Sequence, residues 1–300
     1  MNTAEWPLAV FTLVVQMAAG MMVLSELARM RAGAAAKRLF AGRDIVCFAL
    51  GAVGMLISLA HLGNPLHSPF TIFHLGQSWL SREVLCTGLF VATLAVLVAV
   101  RVFPPLTRTI PFLARLVPLI TVLSCLAGLA TVYAMARVYM LVTVPAWNSP
   151  STLLNFFGAA FLLGSLGIGL LASVNWTVSV PADEKGPGNW VIATILLGLA
   201  LGLGLKFAEI PFDLLAGAQH NARGESILTI LSDIGMPVFA LRLVLPVLAS
   251  ALFLRVLIPA FKRDGNGLSA PLAVFALFFG MAGEFLGRLI FYSTHILMGL

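Results

Sequence analysis

The sequence predicts an all-α fold: a polytopic membrane protein with eight transmembrane helices in one domain over residues 1–300, both termini lying outside the cytoplasm. Three observations carry this. Of 300 residues, 60% are hydrophobic and 10% charged, whereas an ordinary soluble domain is roughly 25% charged. Eight apolar stretches come close to the roughly 20 residues that a helix needs to cross about 30 Å of hydrocarbon. The basic residues gather in alternate connections between them. So few charges exclude a disordered chain or a nucleic-acid module, and the net charge of +6 is the Lys and Arg excess of cytoplasmic loops.

The first stretch, 7–28, has Glu5 before it and Arg29 and Arg31 behind it. That charge order reverses a cleavable signal peptide, so the helix is expected to be retained with its N-terminus outward. RMRAGAAAKR separates it from the second, 43–61, which stops at His61 with Gly63 as C-cap and Pro65 beyond. The third, 82–102, begins after Ser81 and holds Glu83 in its first turn. The fourth, 116–140, follows FPPLTRTIPFLAR; the fifth, 152–174, follows VTVPAWNSPS; the sixth, 189–210, follows NWTVSVPADEKGPGN. The segment from Pro211 to Met236 precedes the seventh, 237–258, and FKRDGNGLS the eighth, 270–293. Gly, Pro and charge in these breaks stop helices.

Arg29, Arg31, Lys37, Arg38, Arg43, Arg101, Arg108, Arg115, Lys185, Lys262 and Arg263 fall in or beside one set of connections. Only Arg82 and Arg223 fall in the other, which places the first set in the cytoplasm. Gly51, Gly54, Gly158, Gly164, Gly167 and Gly169 allow close helix approach, and eight helices can pack as two groups of four.

An ionisable side chain at membrane depth costs at least about 2.5–3.5 kcal/mol, so the few present mark where chemistry is possible. His61, His67, His74, His220 and His295 all fall at or beyond the outer ends of helices, as do Glu83, Arg137, Lys206, Glu209 and Arg288. The loop between the second and third helices brings His61 and Glu83 to one face. A neutral imidazole accepts a proton from a bound hydroxyl and a carboxylate relays it to water, as oxidation of a quinol requires. The same two residues also simply complement the helix dipoles at a C-terminus and an N-terminus. Glu284 and Arg288, four residues apart, read as a structural ion pair. Arg137 and Arg242 lack a local partner and are open to Glu209, Asp213 or a ligand. Trp6, Trp79, Trp147, Tyr139 and Tyr292 fit an aromatic belt. Cys47, Cys86 and Cys125 are isolated, so neither zinc nor an iron–sulfur cluster is expected in this chain, and four of five histidines are placed too near the ends to hold haem. Walker A, dinucleotide-loop, H-E-x-x-H and G-x-S-x-G motifs are absent.

Taken together and in order, EWPLAVFTLVVQMAAG, HLGNP, SREVL, RVYMLVTVPAWNS and GEFLGRLIFYSTH resemble the membrane-anchor (C) subunit of the dimethyl sulfoxide reductase family. The resemblance spans most of the chain. It implies a multi-pass protein of the bacterial inner membrane that binds menaquinol near the periplasmic face and lacks haem. Its partners would be an iron–sulfur subunit, which receives the quinol electrons, and a catalytic molybdopterin subunit, docked on outer loops that include 211–236. His61 and Glu83 match the residues that the family associates with quinol binding, and Arg82, Arg137 and Tyr139 are expected to join them. His67 and His74 match no family role, and the terminal acceptor belongs to the partner subunit. Two other classes compete. A polysulfide- or nitrite-reductase type of quinone-binding subunit would have a proton route to the cytoplasm, and a transporter would place polar groups on broken helices near the midplane.

Overall fold

The computed structural model describes residues 6–61, 73–103, 105, 109–179, 189–217, 236–262 and 268–294. Its helices are α1 (Trp6–Ala32), α2 (Ala34–Leu39), α3 (Arg43–His61), α4 (Trp79–Val102), α5 (Pro111–Tyr139), α6 (Pro150–Ser179), α7 (Asn189–Gly217), α8 (Met236–Lys262) and α9 (Ala270–Ser293). No strand occurs among the described residues. Each of the eight apolar stretches becomes one helix, generally longer than its apolar part because a helix keeps its hydrogen bonds past the hydrocarbon edge. Among the described residues, α1 and α4 to α9, seven helices, are long and apolar enough to cross a membrane. The 43–61 stretch forms the 19-residue α3.

Two features depart from the pattern. RMRAGAAAKR is not simply a break: it holds α2, set off by Gly33 (φ 54°) and Gly42 (φ 79°), backbone angles that favour glycine. In addition, α7 runs through Pro211 to Gly217, although the sequence predicts a break at the proline. The turn beyond Pro211 is fastened by Asp213, whose Oδ2 accepts from Arg242 Nη2 of α8 at 2.9 Å.

The eight long helices form two groups of four. α3 and α5 pack on α1, and α4 bridges α3 and α5; α7 and α9 pack on α6, and α8 packs chiefly on α9. The groups meet along α1 and α6, whose apolar windows are 78% and 72% buried while none of the other five exceeds 44%. The crossing depends on Gly20 and Gly164. A Cβ on Gly20 would overlap the Ala160 carbonyl oxygen, and one on Gly164 would lie 2.5 Å from the Gly20 carbonyl carbon, so the backbones touch as small residues allow.

One end of the first group is closed by charge. Arg43, only 2% exposed in its side chain, pairs with Glu26 at 2.8 Å and Asp44 at 3.0 Å and donates to Ser25 Oγ at 2.9 Å. Arg29 also pairs with Glu26, and Arg101 with Asp44. This network clamps α1, α3 and α4 together at their basic ends. A cavity lies between the opposite ends.

Candidate functional site

That cavity, of about 340 Å³, lies between the far ends of α1, α3, α4 and α5. Its lining is apolar except for Ser58, Glu83, Thr87 and Tyr139, with Phe11 and Met55 among the apolar members. Among the described residues Glu83 is the one carboxylate on the wall, and it is 6% exposed.

The local sequence explains why Glu83 is there. Ser78 starts α4 and its Oγ accepts from Ser81 N at 3.3 Å, the usual way a serine satisfies an orphan N–H of a first turn. Glu83 and Thr87 then follow four residues apart on one side of the helix. Ser58 and Leu59, in the last turn of α3, line the cavity. His61 ends the same helix two residues on; its side chain, with His67, His220 and His295, lies outside the described residues. His74 is exposed, in the turn before α4.

Arg82 and Arg137 do not line the cavity. Arg82 donates through Nε to the Leu75 carbonyl at 2.8 Å and through Nη2 to the Gly76 carbonyl at 2.9 Å. Its guanidinium also lies 4.2 Å from the Trp79 ring centroid, and that of Arg137 lies 4.8 Å from the same ring. Both arginines thus stack on Trp79, which also meets Tyr133 edge-on at 5.7 Å, and this arrangement joins α4 to α5.

Tyr139 lines the cavity from inside a packed cluster and not from an interfacial belt. Its hydroxyl lies 3.0 Å from that of Tyr292, and its ring meets Trp147, Phe156 and Phe291 at centroid distances of 5.4–5.6 Å. Trp147 stacks on Phe291 and donates Nε1–H to its carbonyl at 2.8 Å. Tyr139, Trp147 and Tyr292 are all below 10% exposed. They close the seam between the two groups, where the sequence predicts an aromatic belt near the outer surface.

The Glu284–Arg288 pair is not formed. Glu284 instead meets Lys206 of α7 at 2.7 Å. Arg288 lies 3.8 Å over the Phe156 ring and donates Nη2–H to Gln16 Oε1 at 3.1 Å. Spacing of four puts two side chains on one side of a helix, but these two reach opposite neighbours, α7 for the acid and α1 and α6 for the base. Arg242 finds Asp213 at 2.9 Å and Glu209 at 3.9 Å, which settles one of the open choices. Glu209 stands three residues from Lys206 in the sequence, yet the close contact of Lys206 is Glu284 of α9. Among the described residues, no group of three or more His, Cys, Asp or Glu is placed to hold a metal ion.

A family model described as DMSO reductase anchor subunit (DmsC) matches residues 1–294. The protein belongs to this family. The anchor is 27% identical over 309 residues to the C chain of the anaerobic dimethyl sulfoxide reductase of Escherichia coli (strain K12), covering 99% of the anchor and 96% of that relative. It is 26% identical over 303 residues to the anaerobic dimethyl sulfoxide reductase chain YnfH of the same organism, at 99% and 96% coverage. To the C chain of the Haemophilus influenzae anaerobic dimethyl sulfoxide reductase it is 23% identical over 311 residues, at 100% and 99%. Family and helices together make it a multi-pass protein of the bacterial inner membrane and the membrane anchor of a DMSO reductase complex.

Proposed function

We propose that the anchor oxidises menaquinol in the cavity between α1, α3, α4 and α5 and passes both electrons to an iron–sulfur partner, which serves a molybdopterin catalytic subunit. The observation that carries this reading is the cavity itself. It is apolar enough for a naphthoquinol ring, and Glu83 is the one carboxylate among its described lining residues. On this reading all eight long helices cross the bilayer, and the alternation of basic connections puts both termini and the cavity end on the periplasmic side. The anchor needs no haem of its own.

In the proposed reaction the quinol gives up two protons and two electrons and leaves as the quinone. His61, at the end of α3, takes the proton of one hydroxyl, and Glu83 relays protons to the outer water. Tyr139 contributes a hydroxyl to the wall. Arg82 and Arg137 act on the site by holding Trp79 and the start of α4, and so by setting where Glu83 stands. Protons released at this end do not cross the membrane, so the cycle does not pump. The outer connections, the end of α9 and the 211–236 segment, of which 218–235 lie outside the described residues, are the proposed docking face of the iron–sulfur partner, since electron transfer requires its cluster close to the cavity.

The test is menadiol oxidation and quinol-analogue binding by the assembled complex in membranes. His61→Ala and Glu83→Gln are each expected to lower turnover at least tenfold with complex assembly unchanged. Full turnover in both variants refutes the site.

A further inference from the structure

Thr87 behaves unlike most hydroxyl residues of the anchor's long helices. Thr93, Thr121, Thr131, Ser165, Ser173, Thr194 and Ser250 each donate to the carbonyl four residues earlier, at 2.7–2.9 Å. That back-bond is the ordinary way to satisfy a hydroxyl in a helix that water does not reach. The Thr87 side chain lines the cavity, the residue is 3% exposed, and its Oγ1 has no hydrogen-bond partner. A buried hydroxyl left unmatched has lost its water without replacing it, a cost that a ligand in the cavity can remove. Ser124 also keeps an unmatched Oγ, but it does not line the cavity.

Position adds a second constraint. Glu83 and Thr87 stand on one side of α4 with their Cβ atoms about 5–6 Å apart, comparable to the separation of the two para oxygens of a quinol ring. Thr87 lies one turn deeper, so a ring placed edge-on to α4 presents one oxygen to Glu83 and the other to Thr87. A single χ1 rotation between staggered wells carries the Thr87 hydroxyl into the place of its methyl, so the hydroxyl is available to such a ligand without backbone movement.

We propose that Thr87 is a ligand-contacting residue that hydrogen-bonds the inner oxygen of a para-quinol and thereby selects ligands with two oxygens across the ring. This rests on the quinol reading of the cavity and adds to it the identity of the inner contact. Thr87 retains no quinol proton: the inner hydroxyl's proton is handed on to Glu83, one turn outward on the same side of α4. The threonine fixes the ring so that the outer hydroxyl meets the proton-accepting groups.

The experiment compares two probes by equilibrium binding to the purified, assembled complex under anaerobic conditions: menadiol, and 2-methyl-1-naphthol, which lacks the second oxygen. Wild type is expected to prefer menadiol. Thr87→Val, nearly isosteric, is expected to reduce that preference by about 2- to 12-fold, the range of one hydrogen bond, while affinity for 2-methyl-1-naphthol stays unchanged. Thr87→Ser restores the preference, which shows that the hydroxyl and not the packing is responsible. Glu83→Gln serves as the reference and weakens both probes. An unaltered preference in Thr87→Val, with Glu83→Gln still weakening both, overturns the Thr87 contact and leaves the quinol site standing. Unaltered binding of both probes in both variants overturns the quinol site as well.

Discussion

Lys206 and Glu284 provide the strongest test of how charge is managed inside this bundle. The Glu284 side chain is 1% exposed and Lys206 lies 2.7 Å away, while Arg288, one turn along α9, is bound to Gln16 and Phe156. Replacing Lys206 by Met leaves the carboxylate buried with no cation in contact, and losing one partner of a buried pair costs about 3–5 kcal/mol. Replacing both members by apolar groups of similar volume is neutral or stabilising by about 1–4 kcal/mol. Lys206→Met is therefore expected to destabilise strongly, and the double change Lys206→Met with Glu284→Met to recover most of the loss. The assay is denaturant unfolding of the purified anchor in mixed micelles, run as a double-mutant cycle. A second cycle pairs Arg288→Met with Glu284→Met and should show the smaller coupling. If the Lys206 cycle is additive, or if the Arg288 cycle gives the larger coupling, the assignment of partners is wrong.

Two further outcomes use the same assay. Gly164→Ala is expected to cost about 1–3 kcal/mol by overpacking, because its Cβ meets Gly20 and Met21 backbone atoms at 2.5–2.8 Å. Gly204→Ala, with nothing within 4 Å, is expected to be neutral or stabilising by up to about 1 kcal/mol; equal effects at the two positions contradict the crossing. Arg43→Met should cost about 3 kcal/mol, at the lower end for a buried network because Glu26 and Asp44 keep Arg29 and Arg101. A neutral Arg43→Met refutes the clamp.

The helices are readable in the sequence because lipid imposes a length and an apolarity on each one independently of its neighbours. The expected starts at 43, 189 and 270 coincide with those of α3, α7 and α9. The exception at Pro211 is unreadable because the turn beyond it depends on Arg242, about thirty residues later. The same division holds at the site. Glu83 stands out as an acid in a first turn, and the structure puts it on a cavity wall beside Tyr139. Pairing is different. Glu284 has Arg288 one turn away in sequence, yet Lys206 comes closer in space, since which side of α9 meets α7 follows from packing alone. Thr87 carries a readable hint, its spacing of four from Glu83, but an unmatched hydroxyl is visible only once every carbonyl around it has a position.

The hydroxyl contact between Tyr139 and Tyr292 joins parts of the polypeptide separated by 153 positions. During synthesis, α5 enters the bilayer long before α9 exists. Until the final helix arrives, Tyr139 has no phenol opposite it, and the wall it forms lacks its outer brace. The pocket is thus completed last, and a nascent anchor has a finished scaffold in its first half well before it has a finished site.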